Sequence, residues 1–210
     1  GKRLRLDSYP YKLIHEGSVV VQVGAPEDTL HSGRSRGMYF SLFAGNTGKV
    51  ILIEPDVESL KEYEIAAEKL GRCNILSCPV ALWSEKRKII VYINKSHPAS
   101  SFSEGTKNYD SRLMKSYQTV ELDADTLDNV LAERGIEGVH LVSITTNGAE
   151  KEILAGMKRT IAQGLPFICL AKTGENYVEL MESLGYKLIA YDDRGYTFQQ
   201  VEKEKLVETE

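Results

Sequence analysis

The chain has 210 residues, 42% apolar and 27% charged, which fits one soluble globular domain long enough to bury a core. Its formal net charge of −4 argues against nonspecific binding to nucleic acid or an anionic membrane, both of which need a basic surface. No run of about 18 apolar residues provides a membrane span. Cys73, Cys78 and Cys169 form neither a C-x-x-C pair nor a disulfide framework, so they read as reduced thiols. With no signal-peptide pattern at the start, this gives an expectation of a cytoplasmic protein.

Residues 1–18 are mixed, basic at the outset, and read as a lead-in or small cap. Val19–Val23 is a β-branched run interrupted only by Gln22 and predicts a strand buried on both faces. Residues 24–36 read as a polar loop, and Gly37 to Ala44 as a short helix. Val50–Ile53 predicts a second buried strand. From Asp56 to Leu70 the residues Val57, Leu60, Ala67 and Leu70 predict one apolar helix face, stopped by Gly71. Asn74–Cys78, Ile89–Ile93 and Val120–Leu122 are further strands. Asp125 is a candidate cap for a helix carrying Leu127, Val130 and Leu131. Val139–Ile144 is the next buried strand. Ile153, Leu154, Met157 and Ile161 predict one helix stripe. Phe167–Leu170 is a strand, and Tyr177, Leu180, Met181 and Leu184 line a last helix. Lys187–Tyr191 and Tyr196–Val201 predict a hairpin turned at Asp192-Asp193-Arg194-Gly195. The domain is thus expected over 19–201, with a charged, frayed tail at 202–210.

Strand–helix alternation ending in a hairpin predicts a mostly parallel α/β sheet. In such sheets ligands bind at the carboxyl ends of the strands. Two strand ends there carry chemistry. Val21-Gln22-Val23-Gly24-Ala25 stops on a glycine that lets backbone approach a ligand. Leu52-Ile53-Glu54-Pro55 stops on an acid suited to accept hydrogen bonds from a ribose diol, the alternative being a helix cap. Gly37 opens the first helix, and Glu54 follows it at close to the ~20-residue interval of dinucleotide sites.

These segments, with Thr126-Leu127-Asp128, Val139-His140-Leu141-Val142, Gly148-Ala149-Glu150-Lys151-Glu152-Ile153-Leu154-Ala155-Gly156 and Leu184-Gly185-Tyr186-Lys187-Leu188, resemble the FkbM-type methyltransferases over nearly the whole chain. The resemblance implies a Rossmann-like class I methyltransferase fold: a mostly parallel seven-stranded sheet with a C-terminal antiparallel hairpin and helices on both faces. It implies S-adenosylmethionine as cofactor and O-methylation of a small-molecule or sugar hydroxyl. It carries cofactor contacts onto Gln22, Gly24, Ala25, Gly37, Glu54, Pro55, Val80, Ala81 and Thr145. The chain departs from the family pattern where Gln22 replaces an aspartate. Ser143-Ile144-Thr145-Thr146-Asn147 stands where a lysine and two acids are usual, and Ala171-Lys172 where a glutamate ends the next strand. Pro26 to Arg36 looks like an insertion. Hydroxyls and an amide are poor general bases near neutral pH and weak ligands for divalent cations, so no metal site is expected. These departures open a second reading, an FkbM-like protein that binds S-adenosylmethionine or another nucleotide as a binding or scaffold module.

Candidate contacts to the acceptor are Arg34 and Arg36, which could clamp a phosphate or carboxylate, with Ser100, Ser101, Asn147 and Lys172. Each has a bland alternative: a solvated loop for Arg34, Arg36 and His31, a flexible polar loop for Ser100-Ser101-Phe102, and a helix cap for Asn147. His97 has no placement in the pocket, His140 reads as a satisfied structural histidine within its strand, and Glu150 as a favourable charge in a first helical turn.

Overall fold

The computed structural model describes residues 7–94, 97–102, 118–146 and 148–201. In chain order the elements are β1 (Val19–Val23), α1 (Glu27–His31), α2 (Arg36–Ala44), β2 (Lys49–Ile53), α3 (Val57–Lys69), β3 (Ile75–Cys78), β4 (Ala81–Leu82), β5 (Arg87–Asn94), β6 (His97–Phe102), β7 (Gln118–Asp125), α4 (Leu127–Glu133), β8 (Val139–Ile144), α5 (Glu150–Ala155), α6 (Lys158–Ala162), β9 (Phe167–Leu170), α7 (Val178–Ser183), β10 (Tyr186–Asp192) and β11 (Gly195–Gln200). The main sheet has seven strands in the order β10-β11-β9-β8-β1-β2-β3. β9, β8, β1, β2 and β3 run parallel, and β11 is antiparallel to both β9 and β10. This is the mostly parallel, Rossmann-like sheet with a terminal hairpin expected from the sequence.

Side chains alternate along a strand, so each central strand feeds two cores. Val21, Val23, Ile51, Ile53, Val142, Ile144, Ile168 and Leu170 face Leu127, Val130, Leu131, Ile153, Leu154, Ile161 and Met181 from α4 to α7. Val20, Val50, Leu52, Leu141 and Cys169 face Tyr11, Met38, Phe40, Leu60, Tyr63 and Ala67 on the other side. Covering on both faces is why these strands read as largely apolar runs.

Several local expectations change. The buried face of α3 is Ser59, Leu60, Tyr63 and Ala67, whereas Val57 and Leu70 at its two ends are about half exposed, 48% and 58%. They lie beyond the one stretch of helix that touches the sheet. Asp56 caps α3 through Glu58 and Ser59 N–H. The cap of α4 is Thr126, whose hydroxyl accepts from Asn129 N–H; Asp125 instead accepts from Thr126 N–H and the Asn129 side chain. Part of the 24–36 loop forms the short helix α1. The single stripe expected from Ile153 to Ile161 is two helices, α5 and α6, broken at Gly156-Met157. A Cβ on Gly156 would sit 2.2 Å from the carbonyl oxygen of Trp83, so the break falls where another stretch of backbone crosses.

That crossing belongs to a second sheet, ordered β4-β7-β5-β6. Ala81, Ile89, Val91 and Ala124 form its small core. Trp83 packs against this core and against the main one, and its N–H donates to Asp125 O.

The sole tryptophan therefore reports on this junction. Gly156 has an ordinary φ of −88°, so Gly156→Ala acts only by crowding Trp83, at a cost of about 1–3 kcal/mol. Gly71→Ala, at φ +63° with open space around it, should cost about 1–2 kcal/mol through backbone strain alone. Urea denaturation should register both losses, and native tryptophan emission should move only in Gly156→Ala.

Candidate functional site at the carboxyl edge of the sheet

Strands β1, β2 and β8 end together. Gly24 follows β1 with φ +84°, a conformation that favours glycine, and a Cβ there would lie 2.6 Å from Thr145 O. Thr145 N–H donates to Val23 O at 2.9 Å, and its hydroxyl lies 3.1 and 3.2 Å from Val23 O and Gly24 O. The missing Cβ of Gly24 thus admits the protein's own β8 end.

Gln22 is buried, 2% exposed. Its Nε2 lies within hydrogen-bond distance of Val23 O (3.0 Å), Gly24 O (2.8 Å) and Thr145 Oγ1 (2.7 Å). Two amide hydrogens serve three acceptors. An aspartate in the same pose would set negative charge against two carbonyl oxygens, so an amide suits this geometry. Gln22 Oε1 is buried and has no hydrogen-bond partner among the described residues.

Glu54 follows β2. Its Oε2 accepts from Ala25 N–H at 2.9 Å and its Oε1 from Asp56 N–H at 3.2 Å. Burial pushes its pKa up, against the lowering effect of those two bonds. A carboxylate has about four lone-pair sites, so acceptor capacity remains for further donors.

The other expected cofactor contacts fall in different places. Ala25 is buried, and Pro55 is half-buried beside Glu54. Val80 is half-buried against the main core, and Ala81 is buried in the small sheet's core. Gly37 lies in α2, where a Cβ would come 2.5 Å from Leu52 Cδ2. It brings helix and sheet together and so sits beneath the edge.

The expected acceptor contacts are dispersed. Arg34 is exposed and donates to Ser32 Oγ. His31 is also exposed, 3.8 Å from Glu62. Arg36 is not in the loop but opens α2, with Nη1 donating to Ser143 Oγ at 3.2 Å and Nη2 to Arg194 O at 2.6 Å. Lys172 is exposed after β9, its ammonium 5.3 Å from the Tyr191 ring centroid. Ser100 and Ser101 lie in β6, a strand where a flexible loop was expected, because this segment pairs with β5. Asn147 lies outside the described residues. His140 Nε2 is 2.8 Å from Leu13 O, an arrangement that requires the ring to donate, and burial lowers its pKa.

The sequence reading missed the surroundings of Glu150. This residue is 1% exposed. Its carboxylate accepts from Thr146 Oγ1 (3.0 Å), Gly148 N–H (3.1 Å) and Tyr177 OH (3.3 Å), and Tyr177 OH is 2.7 Å from Thr173 Oγ1. The network ties the segment after β8 to the segment after β9. Burial raises the Glu150 pKa despite these bonds. Asp128, in the Thr-Leu-Asp segment, accepts from Arg159 N–H, Thr160 N–H and Thr160 Oγ1 and so caps α6. Among the described residues no cluster of His, Cys, Asp or Glu could hold a metal ion, and no helix is long and apolar enough to cross a membrane. A groove of about 450 Å³ lies at the opposite, amino edge, between Asp128, Arg159 and Pro166. It is remote from the strand ends.

The sequence matches the model of the methyltransferase FkbM domain over residues 22–198. The chain belongs to the FkbM methyltransferase family. No curated protein matches it. Its structure is similar to an FkbM methyltransferase from Methylobacillus flagellatus KT, with a TM-score of 0.56 and 12% identity, covering 91% of this chain and 46% of that one. The chain therefore spans less than half the length of that protein. A putative rRNA methylase from Clostridium thermocellum gives a TM-score of 0.51 at 7% identity, with 90% of each chain covered. At such identities the likeness is one of fold.

The raised Glu150 pKa makes a thermodynamic prediction. A folded value above the unfolded one, near ~4.3, means that protonation favours the fold. Its contribution is fully present below the unfolded value and is lost as pH rises through the folded value. Glu150→Gln removes that slope whatever constant cost its lost hydrogen bonds add. The Tm of the variant minus that of the wild type should rise between about pH 4 and pH 8. A difference independent of pH would mean that Glu150 ionises without a burial cost.

Proposed function

We propose that this protein is an S-adenosylmethionine-dependent methyltransferase acting on a small-molecule or sugar hydroxyl. The observation that carries the reading is the pairing of Glu54 with Ala25 at the carboxyl edge, in a chain of this family. A carboxylate with unused acceptor capacity ends β2, directly beside the turn that ends β1. Glu54 would hold the ribose hydroxyls. The orphan Oε1 of Gln22, buried one strand away, would accept from the cofactor's ammonium group, and Gly24 and Ala25 would line the path between. Val80 and Ala81 would flank the base. The fit is favourable because the ligand supplies donors to both groups, one carrying spare lone pairs and the other lacking any partner.

When bound, the cofactor supplies an electrophilic methyl group on sulfur. In-line transfer depends mainly on holding donor and acceptor close and aligned, and the edge residues would do this. The rigid turn at Gly24, fixed by Thr145, would orient the methionine portion, and the segment after β8 would form the acceptor side.

One observation favours the alternative of a cofactor-binding module without turnover. The Thr145 hydroxyl is engaged with Val23 O, Gly24 O and Gln22, and the Thr146 hydroxyl with Glu150. Neither is poised to take a proton from an acceptor. Such a module would hold S-adenosylmethionine or another nucleotide at the same edge.

Calorimetry with S-adenosylmethionine should detect binding, and Glu54→Ala should weaken it at least tenfold, about 1.4 kcal/mol. Unchanged affinity in Glu54→Ala would place the ribose elsewhere. Absence of binding to the wild type at millimolar ligand would end the methyltransferase reading and leave only a module for another nucleotide.

A further inference from the structure

On the α2 face of the sheet a row of buried polar side chains interrupts the apolar surface. Gln22, Ser143, Cys169 and Thr197 are register partners across β1, β8, β9 and β11, and each is at most 4% exposed. The half-buried Arg36 lies over this row, bound to Ser143. Arg194, in the β10–β11 turn, reaches the same place from the other side. Its guanidinium carbon is 5.7 Å from the centroid of the buried Tyr11 ring, and its Nη2 donates to Ser8 Oγ and Asp192 Oδ2. Both guanidiniums act electrostatically on the Tyr11 hydroxyl, so the two cations and the phenol converge.

The donors here outnumber their acceptors. A guanidinium has five N–H groups. Among the described residues the two hydrogen bonds of Arg36 go to a hydroxyl and a backbone carbonyl, with no carboxylate among them. Asp192 is already paired with Arg194 at 2.9 Å and acts on Arg36 only at longer range; the exposed Asp193 also acts on Arg194. Even so, Arg194 Nε is buried without a partner among the described residues. A buried donor left unpaired is costly and calls for an occupant that can accept. Planar guanidinium forks match carboxylate and phosphate oxygens.

We propose that Arg36 and Arg194, over Tyr11 and Ser143, form an oxyanion-binding site that receives a carboxylate or phosphate group of a bound ligand. The site extends the proposed function, on which its role in catalysis rests. Two sources share this chemistry. The first is the carboxylate of the cofactor's amino-acid end, since Arg36 is bonded to the register partner of Gln22 and adjacent strands lie ~4.8 Å apart. The second is an acidic group on the acceptor. Arg194 favours this one, because its turn lies four strands from Glu54 in the sheet, about 19 Å at that spacing.

The test uses wild type, Arg36→Met and Arg194→Gln, with circular dichroism to verify folding and three ligands in calorimetry: S-adenosylhomocysteine, 5′-methylthioadenosine, which lacks the amino-acid end, and inorganic phosphate. If an acceptor group is the occupant, phosphate should bind the wild type and weaken at least tenfold in Arg194→Gln, with S-adenosylhomocysteine within about twofold of wild type. If the cofactor carboxylate is the occupant, the wild-type preference for S-adenosylhomocysteine over methylthioadenosine should shrink at least tenfold in Arg36→Met, or in Arg194→Gln should the former fail to fold. Affinities for all three ligands that ignore both arginines, or absence of both phosphate binding and that preference in the wild type, would overturn the site. Arginine-dependent phosphate binding without any S-adenosylhomocysteine binding would leave the oxyanion site standing and remove the methyltransferase reading.

Discussion

The edge of the sheet depends on how closely β1 and β8 approach where both strands end. Gly24 takes φ +84° and carries no Cβ, and the space is filled by the carbonyl of Thr145. Once that contact is made, Thr145 N–H reaches Val23 O, and the Gln22 amide reaches across to the Thr145 hydroxyl. The turn then presents Ala25 N–H to Glu54. A side chain at position 24 would strain the backbone and push β8 away, and each of these bonds would lose its partner. The glycine first read as room for a ligand is therefore equally a requirement of the protein's own packing, and the rigidity it gives is what positions Glu54.

The residues that carry the family resemblance mostly serve structure. Thr126 caps α4, Asp128 caps α6, and Gly156 lets α5 end against the backbone of Trp83. Glu150 binds three donors and joins the segments after β8 and β9. All four hold helices and loops in place. The departures from the family pattern, at Gln22, Thr145, Thr146 and Lys172, lie at the carboxyl ends of the strands. Such a division permits the framework to persist while groups at the edge differ, because caps and close backbone crossings are fixed by the fold, whereas edge side chains answer to the ligand.

Much of the fold was legible in the sequence. Strands covered on both faces are mostly apolar, so Val19–Val23, Val50–Ile53, Val139–Ile144 and Phe167–Leu170 announce themselves despite Gln22, His140 and Ser143. Asp56 before an amphipathic run marks the start of α3, and the Asp-Asp-Arg-Gly turn marks the final hairpin. The strand-end glycine and acid were also readable, since parallel topology puts strand ends at one edge. The small sheet was not legible as a sheet: two-residue β4 has no periodicity to detect, and its pairing with β7 joins segments about forty residues apart.

What the sequence by itself determined is therefore the strands of the main sheet, their order along the chain, most of the helices and the family pattern. These rest on local propensity and on the alternation of apolar side chains, which act within a few residues along the chain. Tertiary structure alone decided the partners of the polar groups. It placed Arg36 over Ser143 instead of in a surface loop, buried Glu150 among three donors, brought Arg194 from the far hairpin to Tyr11, and left Gln22 Oε1 without a partner among the described residues. Hydrogen bonds and charge contacts of this kind are set by distances of about 3 Å between residues far apart in the chain, and only the folded backbone fixes those distances.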